Sequence, residues 1–157
     1  MAFRICTLAA FAAAATSFAA PAHAQGEECV GRPGPVHIWV TVEGLRSSEG
    51  LVAITVYADD SRKFLAKRGS LYVGRTPAKA PTTRVCVNLP GTGVYALAVY
   101  HDRNANRRFD RNSLGLPAEP GGFSNNPSTF LGLPSFSAVR IRVPRSGVST
   151  TVRLKNR

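Results

Sequence analysis

The sequence predicts an all-β protein, a two-sheet antiparallel sandwich of about seven strands that carries one long ordered loop. The first observation is alternation: in VHIWVTVE, Val36, Ile38, Val40 and Val42 share one face, which is the two-residue period of a strand. The second is that turn residues separate such segments at short intervals, a spacing typical of sandwiches. The third is that helical features are confined to SRKFLAKRG at 61–69, which has a serine to cap it and a glycine to end it.

Strand character recurs along the rest of the chain. GVYALAVYHD at 93–102 is the most apolar segment and is predicted to be central, and Tyr95 near its start resembles a tyrosine corner, whose hydroxyl holds the preceding loop. From Arg103 to Ser137 no strand pattern appears, and a loop of that length is usually functional when it is ordered. The predicted strands are residues 36–43, 51–58, 70–74, 83–89, 93–102, 138–143 and 148–154.

The N-terminus carries the features of an export signal. Arg4 precedes an apolar stretch, and Ala-His-Ala at 22–24 is a small-x-small cleavage site. We therefore expect residues 1–24 to be a signal peptide, cleaved near Ala24, and residues 25–157 to form a single β-sandwich domain in the periplasm or outside the cell. The apolar stretch is too short for a membrane span, so we expect no transmembrane segment in the mature chain.

The chain is strongly basic, with a formal net charge of +11 at pH 7. For an exported protein the matching polyanions are anionic envelope polymers or lipids, and we expect no nucleic-acid partner. The arginines are scattered rather than grouped, so the simpler interpretation is that the charge maintains solubility. We expect the protein to be a monomer.

Two cysteines remain once the signal peptide is removed. Cys29 and Cys86 form an even pair in an oxidising compartment, which predicts a disulfide bond between them. The sequence has no CxxC motif and no Cys/His cluster, so it does not predict a zinc site.

The segment HDRNANRRFD has oxygen-bearing side chains at the spacing of a calcium-binding loop. Counted from Asp102, the register places Asn104, Asn106, the Arg108 carbonyl and Asp110 where an EF-hand loop has its first ligands. Calcium is therefore the one candidate cofactor, at an affinity in the weak range of extracellular modules.

Other features of this loop favour an Asx-rich turn, in which Asp and Asn side chains bind their own backbone. Arg107 stands where the EF-hand loop needs glycine, and Ser113 where it needs a closing glutamate, although Glu119 offers a third carboxylate if the chain folds back. We predict that the loop is ordered without metal, that Asp102 and Asp110 accept hydrogen bonds from loop amides, and that Asn106 supplies the left-handed or turn conformation that a glycine would otherwise take.

A second candidate site is a cleft formed by the long loop. His101 shares the core face of its strand, and its favoured role is structural, as a donor to a loop carbonyl. The segment GGFSNNP combines small, polar and aromatic residues, which suits either a shallow ligand cleft or a well-capped loop anchored by its aromatic ring. The residues of this candidate cleft are His101, Glu119, Phe123, Asn125 and Asn126.

Three segments, LPGTGVYALAVYHDRNANRRFD, GLPAEPGGFSNN and LPSF, resemble the small exported bacterial proteins grouped as domain of unknown function 2141. The resemblance covers about residues 36–154 and implies a transthyretin-like or immunoglobulin-like Greek-key sandwich. It implies no activity. The chain departs from the family pattern at Ala105 and Arg107, where the loop usually has glycines, and this weakens the case for calcium.

No catalytic motif is present: the sequence has no GxSxG, no HExxH and no Walker loop. The favoured function is a non-catalytic binding or structural module of the bacterial cell envelope. The alternative is a hydrolase or transferase that acts on envelope material in the cleft formed by residues 102–137.

Overall fold

A computed structural model describes residues 28–129 and 133–155. The predicted signal peptide and its cleavage site lie outside these residues. In the described part no helix is long and apolar enough to cross a bilayer. The elements of that part are β1 Val36–Glu43, β2 Leu51–Ala58, β3 Tyr72–Pro77, β4 Thr82–Leu89, β5 Gly93–Asp102, β6 Gly121–Phe123, α1 Phe136–Val139, β7 Arg140–Val143 and β8 Val148–Arg153.

The strands form two sheets, which confirms the predicted sandwich. One sheet has the order β4-β1-β8, and the other has the order β3-β2-β5-β6, with β7 also paired to β5. The prediction of antiparallel pairing holds for most neighbours but was wrong for β8, which runs parallel to β1. The reason is topological: the turn before β8 carries the chain from one sheet to the other, so no hairpin dictates the direction of β8.

Alternation along the strands places one row of apolar side chains from each sheet in a common core. Ile38, Val40 and Val42 of β1 and Ile54 and Val56 of β2 are completely buried. Burial of each such side chain stabilises the fold by about 1.5–3 kcal/mol, so this core holds the two sheets together.

The N-terminal segment closes one side of the sandwich. Val30 exchanges backbone hydrogen bonds with β4, accepting from Asn88 N (3.0 Å) and donating to Cys86 O (2.8 Å). Val30 also packs on β3 at Gly74, where a Cβ would lie 2.6 Å from a Val30 methyl group. The Cys29–Cys86 disulfide is present, with Cα atoms 4.4 Å apart, which confirms that prediction.

Strand β6 closes the opposite side. Gly121 and Lys155 exchange backbone hydrogen bonds, and a Cβ on Gly122 would lie 2.6 Å from the Arg153 carbonyl oxygen, so only glycine permits this approach of β6 to β8. The expectation of no strand between residues 103 and 137 was therefore wrong. A Gly-Gly-Phe segment has no alternation to reveal it, and its extended form depends on pairing with β5.

Residues 61–69, the one segment with helical features in its sequence, form consecutive turns and not a helix. Leu65 and Arg68 have φ values of 57° and 60°, which break any right-handed helix. Residues 136–139 form α1 instead, so the predicted strand 138–143 is shortened to β7.

The outer face of the five-stranded sheet is partly covered. Tyr57, Ala96 and Val139 form a second apolar cluster there, and Phe64 and Phe136 pack against it with their ring centroids 5.5 Å apart. This cluster covers one end of the outer face. At the other end, Phe109 of the long loop packs against that face.

Candidate functional site

Asp102 ends β5 and organises the loop that follows it. The residue is completely buried, and its two carboxylate oxygens accept hydrogen bonds from Asn106 N (3.1 Å) and Arg107 N (2.8 Å). A buried, charged acceptor that binds two backbone amides is a strong local tie. Asp102 therefore has the role of turn anchor that the Asx interpretation predicted.

Three further side-chain oxygens of the loop also have partners within it. The side-chain oxygens of Asn104 and Asn106 accept from the backbone amides of Asn106 (3.1 Å) and Arg108 (2.8 Å). The side-chain amides of Asn104 and Asn106 both donate to Asp110 Oδ2, at 2.9 and 2.7 Å. In the described residues no group of three or more His, Cys, Asp or Glu side chains is placed to hold a metal ion. These are the residues that would hold calcium, and here their hydrogen bonds order the loop.

The left-handed residues of the loop are not the one predicted. Asn106 does not take this conformation; its neighbours Ala105 and Arg107 do, with φ values of 55° and 64°. With the backbone turned in this way, the amides of Asn106 and Arg107 both reach the Asp102 carboxylate. At these two positions the resemblance noted in the sequence implies glycine, which adopts this conformation without steric cost.

Glu119 folds back onto the loop, as the sequence allowed. It is 7% exposed, and its Oε2 accepts a hydrogen bond from Asp110 N at 3.1 Å. Burial raises the pKa of this carboxyl group, and the nearby carboxylates of Asp102 and Asp110 raise it further, against the lowering effect of the amide bond. Glu119 thus connects the polar loop at 102–110 to the outer face of the five-stranded sheet.

His101 points into the interior at the end of β5. It is 1% exposed, and its Nε2 lies 2.8 Å from the Glu49 carbonyl oxygen, to which the ring must donate because a carbonyl only accepts. This is the structural arrangement that the sequence favoured.

Asn125 and Asn126 tie the long loop to the strands beneath it. Asn125 Nδ2 donates to the Arg140 carbonyl (2.8 Å), and Asn126 receives a bond from Arg153 N (2.7 Å) and donates to the Thr151 carbonyl (2.7 Å). Both residues have left-handed backbones, which asparagine tolerates better than most residues. Their side chains therefore satisfy backbone groups of β7 and β8, and not, as the sequence suggested, those of the loop itself.

A groove of about 450 Å³ lies on the outer face of the five-stranded sheet, beside the second apolar cluster. Its floor consists of side chains that alternate with the core residues of β2, β5 and β6. Those floor residues are Thr55, Tyr57, Ala98, Tyr100 and Phe123.

Exposed apolar side chains form the walls of this groove. Phe109 reaches from the loop onto the floor, with its ring centroid 5.2 Å from that of Tyr100. In the part of the chain that the structure describes, six large apolar side chains are exposed, and four of them line the groove. The four are Leu65, Phe109, Leu116 and Leu133.

Three basic side chains also line the groove: Arg111, Arg153 and Lys155. Arg153 pairs with Glu43 at 3.1 Å. Arg111 donates to the Gly115 carbonyl (2.7 Å) and Lys155 to the Pro127 carbonyl (3.2 Å), and neither forms an ion pair with any carboxylate in residues 28–129 or 133–155.

The structure brings together three of the five residues of the predicted cleft. Glu119, Phe123 and Asn126 line the groove, whereas His101 and Asn125 do not. Sequence analysis missed Tyr57 and Tyr100. Each is a large aromatic side chain on the outer face of a strand whose other face is core, and this pattern is a signal that something covers that outer face.

Comparison with known proteins found one family. The model of the family described as "Uncharacterized protein conserved in bacteria (DUF2141)" matches residues 40–151. No significant match was found among curated proteins or among solved structures. The match covers well over half of the chain and agrees with the resemblance seen in its loop segments, so this chain belongs to the bacterial DUF2141 family.

Proposed function

We propose that the protein is a non-catalytic binding module of the bacterial cell envelope and that the groove on the five-stranded sheet is its binding surface. The observation that carries this proposal is the gathering of exposed apolar side chains around one concavity. Exposed apolar surface is unfavourable in water, and where it is contiguous it usually marks an interaction site. The volume of 450 Å³ falls within the range of roughly 300–1,000 Å³ that is usual for small-ligand sites.

The disulfide bond supports a location outside the cytoplasm, because cytosolic thiols are kept reduced. Periplasmic or secreted location, after cleavage near Ala24, is part of this proposal. It agrees with the export features of the first 24 residues.

The alternative, a hydrolase or transferase in the same cleft, has less support. His101 is buried and bound to a backbone carbonyl, and it does not face the groove. The one acidic residue among the described lining residues is Glu119, which accepts a backbone amide. An acid–base pair needs titratable groups that converge on a substrate, and the groove offers apolar walls instead.

A neutral fluorescent apolar probe, N-phenyl-1-naphthylamine, tests the proposal. We expect saturable binding with a blue shift of emission. Thr55→Phe should abolish this binding by filling the floor, and Phe is well tolerated in strands. Thr41→Phe is the matched control, since Thr41 is also a half-buried threonine on an outer strand face, but in the other sheet.

Absence of probe binding by the folded parent would refute the proposed surface. Equal binding by parent and Thr55→Phe would place the apolar site elsewhere on the molecule and refute it as well. Circular dichroism and thermal melts establish that both variants are folded.

A further inference from the structure

The charges that line the groove are unbalanced in sign. Three basic side chains face one acidic side chain, Glu119. Glu119 is 7% exposed and already accepts the Asp110 amide, whereas Arg111 and Lys155 are exposed. The charge that a ligand meets at the mouth of the groove is therefore positive.

The two lining basic side chains without a carboxylate partner in the described residues are held in place by hydrogen bonds. The guanidinium of Arg111 donates to the Gly115 carbonyl at 2.7 Å and lies 5.6 Å from the centroid of the Phe109 ring. Lys155 follows β8 and lies against the Pro127 carbonyl at 3.2 Å. Each group retains donors for an anion, because a guanidinium has five N–H donors and an ammonium has three.

We propose that the groove binds a single-chain anionic amphiphile of the fatty-acid type, with its hydrocarbon chain on the aromatic floor and its head group at Arg111 and Lys155. This inference rests on the proposed function and specifies the ligand. The aromatic and leucine side chains of the lining match a hydrocarbon chain. A concave site also matches a separate chain better than a flat membrane surface, so a free amphiphile is the occupant.

Competition against the neutral probe tests this head-group preference. Decanoate, decanol and decyltrimethylammonium share one chain and differ in charge, so their rank order isolates the head group. We expect decanoate to bind most tightly and the cationic compound most weakly. Lengthening the carboxylate from decanoate to dodecanoate should tighten binding about fourfold per methylene, as burial of one CH₂ predicts.

The double variant Arg111→Gln/Lys155→Gln should weaken decanoate binding about fivefold, as expected for two partly exposed charge contacts. It should leave decanol and the neutral probe unchanged. Arg142→Gln/Arg145→Gln removes the same charge from exposed positions that do not line the groove. This control variant should bind decanoate and decanol with the affinity of the parent.

Two results would overturn the inference while the proposed function stands. In the first, decanoate and decanol bind the parent equally and the double variant changes neither. In the second, phosphatidylglycerol vesicles bind through the same two side chains while monomeric decanoate does not, which would identify a membrane surface as the partner. Loss of neutral-probe binding itself would remove the proposed function together with the inference.

Discussion

The loop at 102–110 and the groove beside it differ in whether their functional groups remain available to a ligand. The loop has the residue types and spacing of a cation site, yet its side-chain oxygens are bound to its own amides. The groove has no motif, yet it exposes aromatic and aliphatic surface, and two basic groups without a carboxylate partner in the described residues line it. Residue spacing indicates a site only when the functional groups remain free after the chain has satisfied its own backbone. By that criterion the groove is the better candidate.

The largest effect should come from the scaffold that both regions share. Cys29→Ser/Cys86→Ser opens a loop with a sequence separation of 57 residues, and the chain-entropy estimate for that loss is about 4 kcal/mol of unfolding free energy. Urea unfolding measures it. Because the bridge touches neither region, probe affinity in the folded variant should not change. An unaltered urea midpoint would show that the bridge contributes little.

Within the loop, the fully buried carboxylate of Asp102 and the half-buried carboxylate of Asp110 should behave differently. Asp102→Ala leaves the Arg107 amide without an acceptor and removes one of the two acceptors of the Asn106 amide, so it should lower the unfolding free energy by about 2 kcal/mol. Asp110→Ala removes bonds from side-chain amides at the surface and should cost about 1 kcal/mol. Equal losses in urea unfolding would contradict the description of Asp102 as the anchor.

Glu119 belongs to both regions, and its titration sharpens the comparison. Since burial raises the folded-state pKa above the ordinary value of 4.5, the ionised carboxylate is less favourable in the fold than in the unfolded chain. Stability should therefore fall as pH rises from 4.5 through the raised pKa. Glu119→Gln should remove that part of the pH dependence in urea unfolding between mildly acidic and neutral pH. If the unfolding free energies of parent and variant decline in parallel as pH rises, the pH dependence belongs to another titratable group.

The smallest effect should be that of calcium. Because the loop oxygens already have partners, millimolar calcium should leave the melting temperature unchanged relative to EDTA. A true site would stabilise the fold by a few kcal/mol at calcium concentrations far above its dissociation constant, and Asp102→Asn would lose that response. A rise of several degrees in the parent that disappears in the variant would show that calcium displaces the internal hydrogen bonds.

Local pattern predicted much of this molecule. Alternation placed β1, β2, β4 and β5 and their buried faces, because a two-residue period reports directly which side chains face a core. Tyr95 donates to the Gly91 carbonyl at 2.8 Å, which is the predicted tyrosine corner and involves residues close in sequence. The Asx turn at Asp102 also joins residues that are close in sequence, since its amide partners lie four and five residues further along the chain.

What the sequence alone determined is therefore the set of elements whose partners are near in sequence or whose faces repeat: the main strands, the core, the disulfide pair and the ordered polar loop. Tertiary structure alone decided the extended form of Gly121–Phe123, the parallel pairing of β8 and the assembly of the groove. Each of these depends on contact between segments far apart in the chain, such as Phe109 against Tyr100 and Gly122 against the Arg153 carbonyl. Such contacts produce no repeating pattern in the sequence. The conformation at these positions is selected by a segment that is distant in the chain, and not by neighbouring residues.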